Sequence, residues 1–137
     1  VNYIGDSVFS GFSSLSYIEL PFVGNSISAT GEDANFGSIF GTSSYTNSYL
    51  AIQGSDLTYY IPKGLSKIKI GGQTIAEKAL RNLTSVTDLT IADSVTSIGE
   101  GALNGCSSLV NITTPKVTGY NTNVTSYYDY SGSWNKD

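Results

Sequence analysis

The sequence predicts a β-rich α/β solenoid, in which short strands and short helical turns repeat with a period of about 23 residues. The first observation is that two segments, beginning at Ile75 and at Ile98, carry similar apolar residues at the same positions. The second is a looser copy between Ile4 and Pro21. A unit of this length cannot bury its apolar face alone, so the fixed period indicates units stacked side by side on one core.

Each copy contains a strand pattern whose ideal form is Leu-x-x-Ile-x-Leu. The pattern occurs four times, beginning at Leu15, Leu65, Val86 and Leu109. Its alternation predicts a short strand whose intervening side chains point outward. If the strands stack in chain order, Glu19 lies opposite Lys69, and Lys67 lies opposite Asp88. The outward residues are predicted to be Tyr17, Glu19, Lys67, Lys69, Asp88, Thr90, Asn111 and Thr113.

The other half of each copy has apolar residues spaced three and four apart, which predicts one or two turns of α-helix or 3₁₀-helix. These turns are predicted to end at one shared position, which holds Gly11, Asn82 and Gly105. Glycine and asparagine tolerate the left-handed backbone that closes a helix. The next position holds Phe12, Leu83 and Cys106, and we interpret this shared apolar slot as part of the core.

The repeat is interrupted by residues 22–64, which carry many glycine, serine and aromatic residues. A flexible linker would not carry so many aromatic side chains, so we interpret this stretch as an ordered insertion with a small core of Phe22, Phe36 and Phe40. Residues 116–137 also depart from the pattern and are interpreted as a cap on the last repeat or the start of another module. Residues 1–137 are predicted to form one domain, a piece of a longer protein.

The composition excludes several functional classes. The net charge is −4 and the seven Lys and Arg residues are scattered, so no nucleic-acid partner is expected. No stretch approaches the roughly 20 apolar residues of a spanning helix, so no membrane insertion is expected. The absence of His excludes a Ser–His–Asp triad, a Cys–His pair and the usual zinc sites. Glu32 and Asp33 lack the alternating spacing of a calcium loop. We therefore expect no catalysis, no metal site and no cofactor.

The segment from Ile91 to Pro115 contains Ser-Val-Thr-Ser-Ile-Gly and then Gly-Cys-Ser-Ser-Leu, and it resembles the BspA-type leucine-rich repeats of bacterial proteins. Residues 4–21 and 65–92 resemble this pattern more loosely. The departures from its usual Gly, Cys and Pro are Ala76, Leu83 and Ala92. The resemblance implies a leucine-rich repeat stack, a right-handed β/α solenoid, on a secreted or wall-attached protein that adheres to host proteins, matrix or other cells. It supplies no family-wide ligand residues.

Three functions remain open on the sequence, ahead of a glycosidase, for which the eleven acidic residues offer no recognised pair of carboxylates. The first is an extracellular or cell-surface module for protein binding and adhesion, whose outward strand residues contact a host or cell-surface protein or the matrix. The second is a carbohydrate-binding module that stacks a glycan on aromatic side chains. Its candidates are Tyr45, Tyr49, Tyr59, Tyr60, Tyr127, Tyr128 and Trp134. The third is a structural spacer that holds another domain away from the cell.

Overall fold

A computed structural model describes residues 2–99, 101–113, 117–118 and 134–136, the last two segments through their backbone. The strands are β1 (Tyr17–Leu20), β2 (Ser48–Gln53), β3 (Leu57–Pro62), β4 (Lys67–Ile70), β5 (Thr74–Ile75), β6 (Asp88–Ile91), β7 (Ser97–Ile98), β8 (Asn111–Thr113), β9 (Val117–Thr118) and β10 (Trp134–Lys136). The helices of the described residues are two short 3₁₀ helices, Gly31–Ala34 and Phe36–Ile39, and none is long and apolar enough to cross a membrane. The chain is therefore a strand-rich repeat protein.

The four predicted strand patterns form one parallel sheet in the order β1-β4-β6-β8. Glu19 of β1 lies opposite Lys69 of β4, and Lys67 of β4 lies opposite Asp88 of β6, which confirms the predicted stacking and register. The inward residues of β1, β4 and β6 are buried, as the alternation requires. A second sheet has the order β5-β7-β10-β9, and β2 and β3 form a separate antiparallel hairpin.

The second half of each repeat consists of turns, and no α-helix is found there in the described residues. The Ala79 N–H bonds to the Ala76 oxygen three residues back, which is 3₁₀ geometry. The Leu80 N–H donates to the oxygen of Ala102 in the next repeat at 3.0 Å. Backbone hydrogen bonds therefore join the turns of successive repeats, as they join the strands. The predicted left-handed position is confirmed, with φ of 84° at Gly11, 65° at Asn82 and 80° at Gly105.

The 22–64 insertion takes part in the stack of turns. We number the repeats by where they begin, the first at Ile4, the second at Ile75 and the third at Ile98. The Phe36 N–H donates to the oxygen of Ala79 in the second repeat, and the Ile39 oxygen accepts from the N–H of Phe9 in the first repeat, both at 2.8 Å. The helix Phe36–Ile39 therefore lies between these two repeats, in the position of a repeat turn. The hairpin β2–β3 is the part of the insertion that the repeat pattern does not contain.

A buried glutamine fastens the hairpin to the stack. Gln53 is fully buried at the end of β2. Its Oε1 accepts from the Gly37 N–H at 2.8 Å, and its Nε2 donates to the Arg81 oxygen at 2.9 Å. Arg81 also forms an ion pair with Asp56 in the hairpin turn at 3.1 Å. Since both ends of the amide are bonded, Gln53 joins the hairpin, the 3₁₀ helix and the second repeat.

One apolar core runs through the repeats and into the insertion. Phe36 and Phe40 are fully buried, with ring centroids 5.3 Å apart, and they pack in this common core. The prediction of a small core is therefore confirmed for Phe36 and Phe40, which lie within the common core, and wrong for Phe22, which is buried but is not part of that cluster. The insertion lacks an independent core because its 3₁₀ helix fills a place within the stack.

The shared apolar slot of the repeat is buried in two repeats out of three. Leu83 and Cys106 are buried, whereas Phe12 is 49 % exposed. The core interpretation is therefore confirmed for Leu83 and Cys106 and wrong for Phe12. Phe12 lies in the first repeat, which has a neighbouring repeat on only one side among the described residues, so its slot is covered from one side.

Candidate binding surfaces

The outward residues of the parallel sheet form two rows, because the four strands pair in register. The first row is Tyr17, Lys67, Asp88 and Asn111, and the second is Glu19, Lys69, Thr90 and Thr113. Asp88 and Thr90 are half-buried and the others are exposed. The structure thus brings all the predicted outward residues onto one surface, which we call the strand face.

Opposite charges lie side by side on the strand face. Lys69 Nζ lies 3.6 Å from a carboxylate oxygen of Glu19, and the Tyr17 hydroxyl donates to that carboxylate at 3.3 Å. Lys67 lies opposite Asp88, but Glu19–Lys69 is the one ion pair that the described residues form on this face. Exposed pairs contribute about 0–1 kcal/mol to stability, so these charges are not needed to hold the sheet together.

Two tyrosines of the insertion point into the protein. Tyr59 is 5 % exposed, and its hydroxyl accepts from Asn35 Nδ2 and donates to the backbone oxygen of Glu32. Tyr49 is half-buried, its hydroxyl bonds to Ser85 Oγ at 2.9 Å, and burial raises the pKa of its phenol. The expectation that Tyr59 stacks on a glycan is therefore wrong, because its ring lies in the protein. Tyr49 likewise serves to attach the hairpin to the repeats.

The outer side of the hairpin carries a small apolar patch. Tyr60 lies directly opposite Leu50, which is 49 % exposed. The Tyr45 hydroxyl donates to the Tyr60 oxygen at 3.0 Å. Burial and then the neighbouring Tyr49 raise the pKa of Tyr45 to about 12. We call Tyr45, Leu50 and Tyr60 the hairpin patch.

An acidic cleft of about 340 Å³ lies where the first repeat meets the insertion. Asp6, Glu32, Asp33 and Tyr59 line it, and Asp6 accepts a hydrogen bond from Asn25 Nδ2 at 3.0 Å. Within the described part of the chain, these carboxylates form no ion pair and belong to no group of three that could hold a metal ion. Sequence reasoning missed Asp6 because it lies far along the chain from Glu32 and no local motif links them.

A second cleft, of about 260 Å³, separates the hairpin turn from the second repeat. We call it the polar cleft. Its lining includes Asn35, Gly54, Ser55, Ala76 and Glu77. No sequence signal pointed to it, because the residues come from three separate segments that only the docked hairpin brings together.

The single cysteine is a core residue. Cys106 is 2 % exposed, and its thiol donates to the Leu80 oxygen at 3.1 Å. Burial raises the pKa of the Cys106 thiol to about 12. A thiol that stays neutral and buried is unlike an activated nucleophile, which is a partly exposed thiolate.

Three of the candidate glycan-binding residues belong to residues 116–137. Tyr127 and Tyr128 lie outside the described residues. Trp134 is described through its backbone, in β10. This strand runs antiparallel to β7, with Trp134 opposite Ile98.

The comparison with known families identifies the repeats. Residues 73–131 match the family described as BspA type leucine rich repeat region (6 copies). This part of the chain is therefore similar to a BspA-type leucine-rich repeat region, which confirms the resemblance for residues 73–131. The match begins just before β5 and continues past Pro115, while the first repeat and the insertion lie outside it. Searches of curated proteins and of solved structures found no match.

Proposed function

We propose that the chain is a protein-binding module of the leucine-rich repeat type and that the strand face contacts the partner. The observation that carries this proposal is the in-register alignment of outward side chains from four strands on one largely exposed surface. Stacked repeats typically use such extended surfaces for binding. A protein partner suits a net charge of −4 better than a nucleic acid does.

The finer proposal is a solenoid that acts in adhesion, at the bacterial cell surface or outside the cell, with a host or cell-surface protein or the matrix as partner. Support comes from the BspA-type region and from the backbone bonds that join successive repeats on both the strand side and the turn side. The proposal includes no catalysis, because the chain has no His and its one thiol is buried.

Tyr17 and Lys67 are the residues of the strand face that we expect to matter most. They lie opposite each other on β1 and β4, and both are exposed. An exposed aromatic ring supplies contact area with few degrees of freedom, and an exposed charge without an ion pair can pair with a partner. Lys69 is expected to matter less, since it already pairs with Glu19.

The test is a binding array of matrix and cell-surface proteins, probed with the wild-type chain and two variants. The first combines Tyr17→Ala with Lys67→Glu on the strand face, and the matched control combines Leu50→Ser with Tyr60→Ala on the hairpin patch. We expect saturable binding that the strand-face variant loses and the control keeps, with unchanged circular dichroism. Protein binding that survives the strand-face substitutions would overturn the proposal.

A carbohydrate-binding function is the second candidate, supported by the hairpin patch. Tyr60 and Leu50 offer a ring and an apolar neighbour on the outer side of β2–β3. A glycan array with the same two variants separates the candidates. Sugar binding lost only in the Leu50/Tyr60 variant would favour the carbohydrate module, and binding to neither array would favour a spacer.

A further inference from the structure

The polar cleft contains a buried hydrogen-bond acceptor to which no side chain or backbone group of the described residues donates. Asn35 is 1 % exposed, and its Nδ2 donates to the Tyr59 hydroxyl at 3.1 Å. No described residue donates to its Oδ1. Buried polar groups are nearly always paired, and leaving one unpaired costs free energy. The amide oxygen of Asn35 therefore needs a donor from outside the described residues.

The hydrogen bonds of Tyr59 fix which way this amide points. A phenol hydroxyl has one proton, and Tyr59 donates it to the backbone oxygen of Glu32 at 3.2 Å. Tyr59 must therefore accept from Asn35, so the amide nitrogen faces Tyr59 and the oxygen turns away from it. Tyr59 lines the acidic cleft, whereas Asn35 lines the polar cleft. At the wall of the polar cleft the whole Asn35 amide lies against Gly54, where an added Cβ would lie 2.6 Å from Nδ2 and 2.7 Å from Oδ1.

The other side chains of the polar cleft add acceptors more than donors. Glu77 is exposed and forms no ion pair with any described residue, and Ser55 contributes a hydroxyl. Lys78 also lines the cleft, but its side chain extends toward the next repeat, where its Cγ lies 3.3 Å from the position of a Cβ on Gly101. A ligand that donates hydrogen bonds and carries positive charge would complement this lining.

We propose that the polar cleft binds a protonated primary amine, whose ammonium group donates to Asn35 Oδ1 and to the Glu77 carboxylate. A volume of about 260 Å³ suits an alkylammonium chain, being below the range of most drug-sized sites. The ammonium group can belong to a free amine or to a lysine side chain of a bound protein. This site is separate from the strand face, so amine binding can be tested independently of the proposed function.

The test is a titration of the ¹⁵N-labelled chain followed by NMR. The probes are n-butylammonium, a free amine, and an acetylated lysine methylamide, which represents a lysine side chain. The neutral control is n-butanol. We expect saturable movement of the Asn35 side-chain amide and the Gly54 backbone signal with either cationic probe, and none with butanol. Tighter binding of butylammonium would point to a free amine, and tighter binding of the lysine compound to a protein side chain.

Two variants sharpen the test without touching the core. Glu77→Gln keeps the shape of an exposed side chain and is expected to weaken amine binding about tenfold. Ser55→Tyr, in the exposed hairpin turn, is expected to abolish binding by filling the cleft. Glu32→Gln, in the acidic cleft, is the matched control and should leave binding unchanged. Equal responses to butanol, no saturable movement at Asn35, or equal losses in Glu77→Gln and Glu32→Gln would overturn the proposal and leave a cleft that holds water only.

Discussion

Asn82 holds the hairpin through one hydrogen bond, from its Nδ2 to the backbone oxygen of Ile52 at 2.8 Å. The same repeat position is Gly11 in the first repeat and Gly105 in the third, and all three residues have positive φ. Glycine adopts this backbone at the lowest cost. The second repeat uses asparagine instead because the hairpin packs against this repeat, and the side chain supplies a bond that glycine lacks.

Replacing Asn82 separates the hydrogen bond from the backbone conformation. Asn82→Gly keeps the left-handed backbone and removes the bond to Ile52, so we expect the free energy of unfolding to fall by about 1 kcal/mol. Asn82→Ala also forces an alanine into the left-handed region and should cost about 1 kcal/mol more. Urea denaturation of the three proteins measures both steps. A stability of Asn82→Ala equal to that of Asn82→Gly would contradict the backbone argument.

Gly99 and Ala76 occupy the same position in successive repeats but have different surroundings. A Cβ on Gly99 would lie 2.4 Å from the backbone nitrogen of Glu77, because the two repeats meet there backbone to backbone. Ala76 instead lines the polar cleft. This explains why the second repeat departs from the usual glycine, since the preceding segment leaves room for a methyl group.

The same comparison predicts opposite tolerances at the two positions. Gly99→Ala should destabilise the chain by about 1–3 kcal/mol, because backbone must move to admit the methyl group. Ala76→Gly should cost no more than about 0.5–1 kcal/mol, the ordinary penalty of added backbone freedom. Thermal unfolding of both variants is the measurement. Equal losses of stability in the two variants would contradict the close backbone approach between repeats at Gly99.

The strands and turns of the repeats could be predicted from the sequence because they depend on local patterns. Alternation in the four strand patterns specifies which residues face outward. Glu19 and Lys69 occupy the same position within this pattern, and that shared position specifies the register. The sequence did not predict that the 3₁₀ helix Phe36–Ile39 takes the place of a repeat turn. The hairpin separates it from its strand β4, so no constant period connects the two.

The candidate sites were predictable only where they follow the repeat. The outward residues of the four strands lie together on the strand face because the strands pair in register. The tyrosines of the insertion were not distinguishable in the sequence, since both faces of the hairpin carry apolar residues. Ala51 and Ile61 face the core, while Leu50 faces solvent, and only packing against the stack decides which face turns inward. The two clefts depend on that packing as well.

The Glu19–Lys69 pair predicts a small, salt-dependent effect on stability. Glu19→Lys places like charges opposite each other at an exposed site, and we expect a loss of about 0.5 kcal/mol or less. Adding Lys69→Glu restores opposite charges and should recover the loss. The effect should shrink as salt is raised, because both side chains are exposed. A loss that persists in the double variant at low salt would mean that Glu19 acts through something other than this pair.

Burial of Cys106 predicts that stability falls at alkaline pH. Burial raises the pKa of this thiol from 9.0 to about 12. Between these values the unfolded chain loses the thiol proton while the folded chain keeps it, so the unfolded state is favoured as the pH rises. The effect is negligible at pH 8 and grows as the pH rises through the window. We expect the free energy of unfolding to be about 1 kcal/mol lower at pH 10 than at pH 8 from this group.

Cys106→Ala isolates that contribution. The substitution itself lowers stability by an amount that does not depend on pH, so the variant should lack the part of the alkaline loss due to the thiol. Tyr45 has its pKa raised from 10.0 to about 12, so its loss sets in at higher pH and is common to both proteins. Urea denaturation under reducing conditions at pH 8, 9 and 10 gives the two curves. Parallel curves would mean that the thiol ionises as readily in the folded chain as in the unfolded one, contrary to its burial against Leu80.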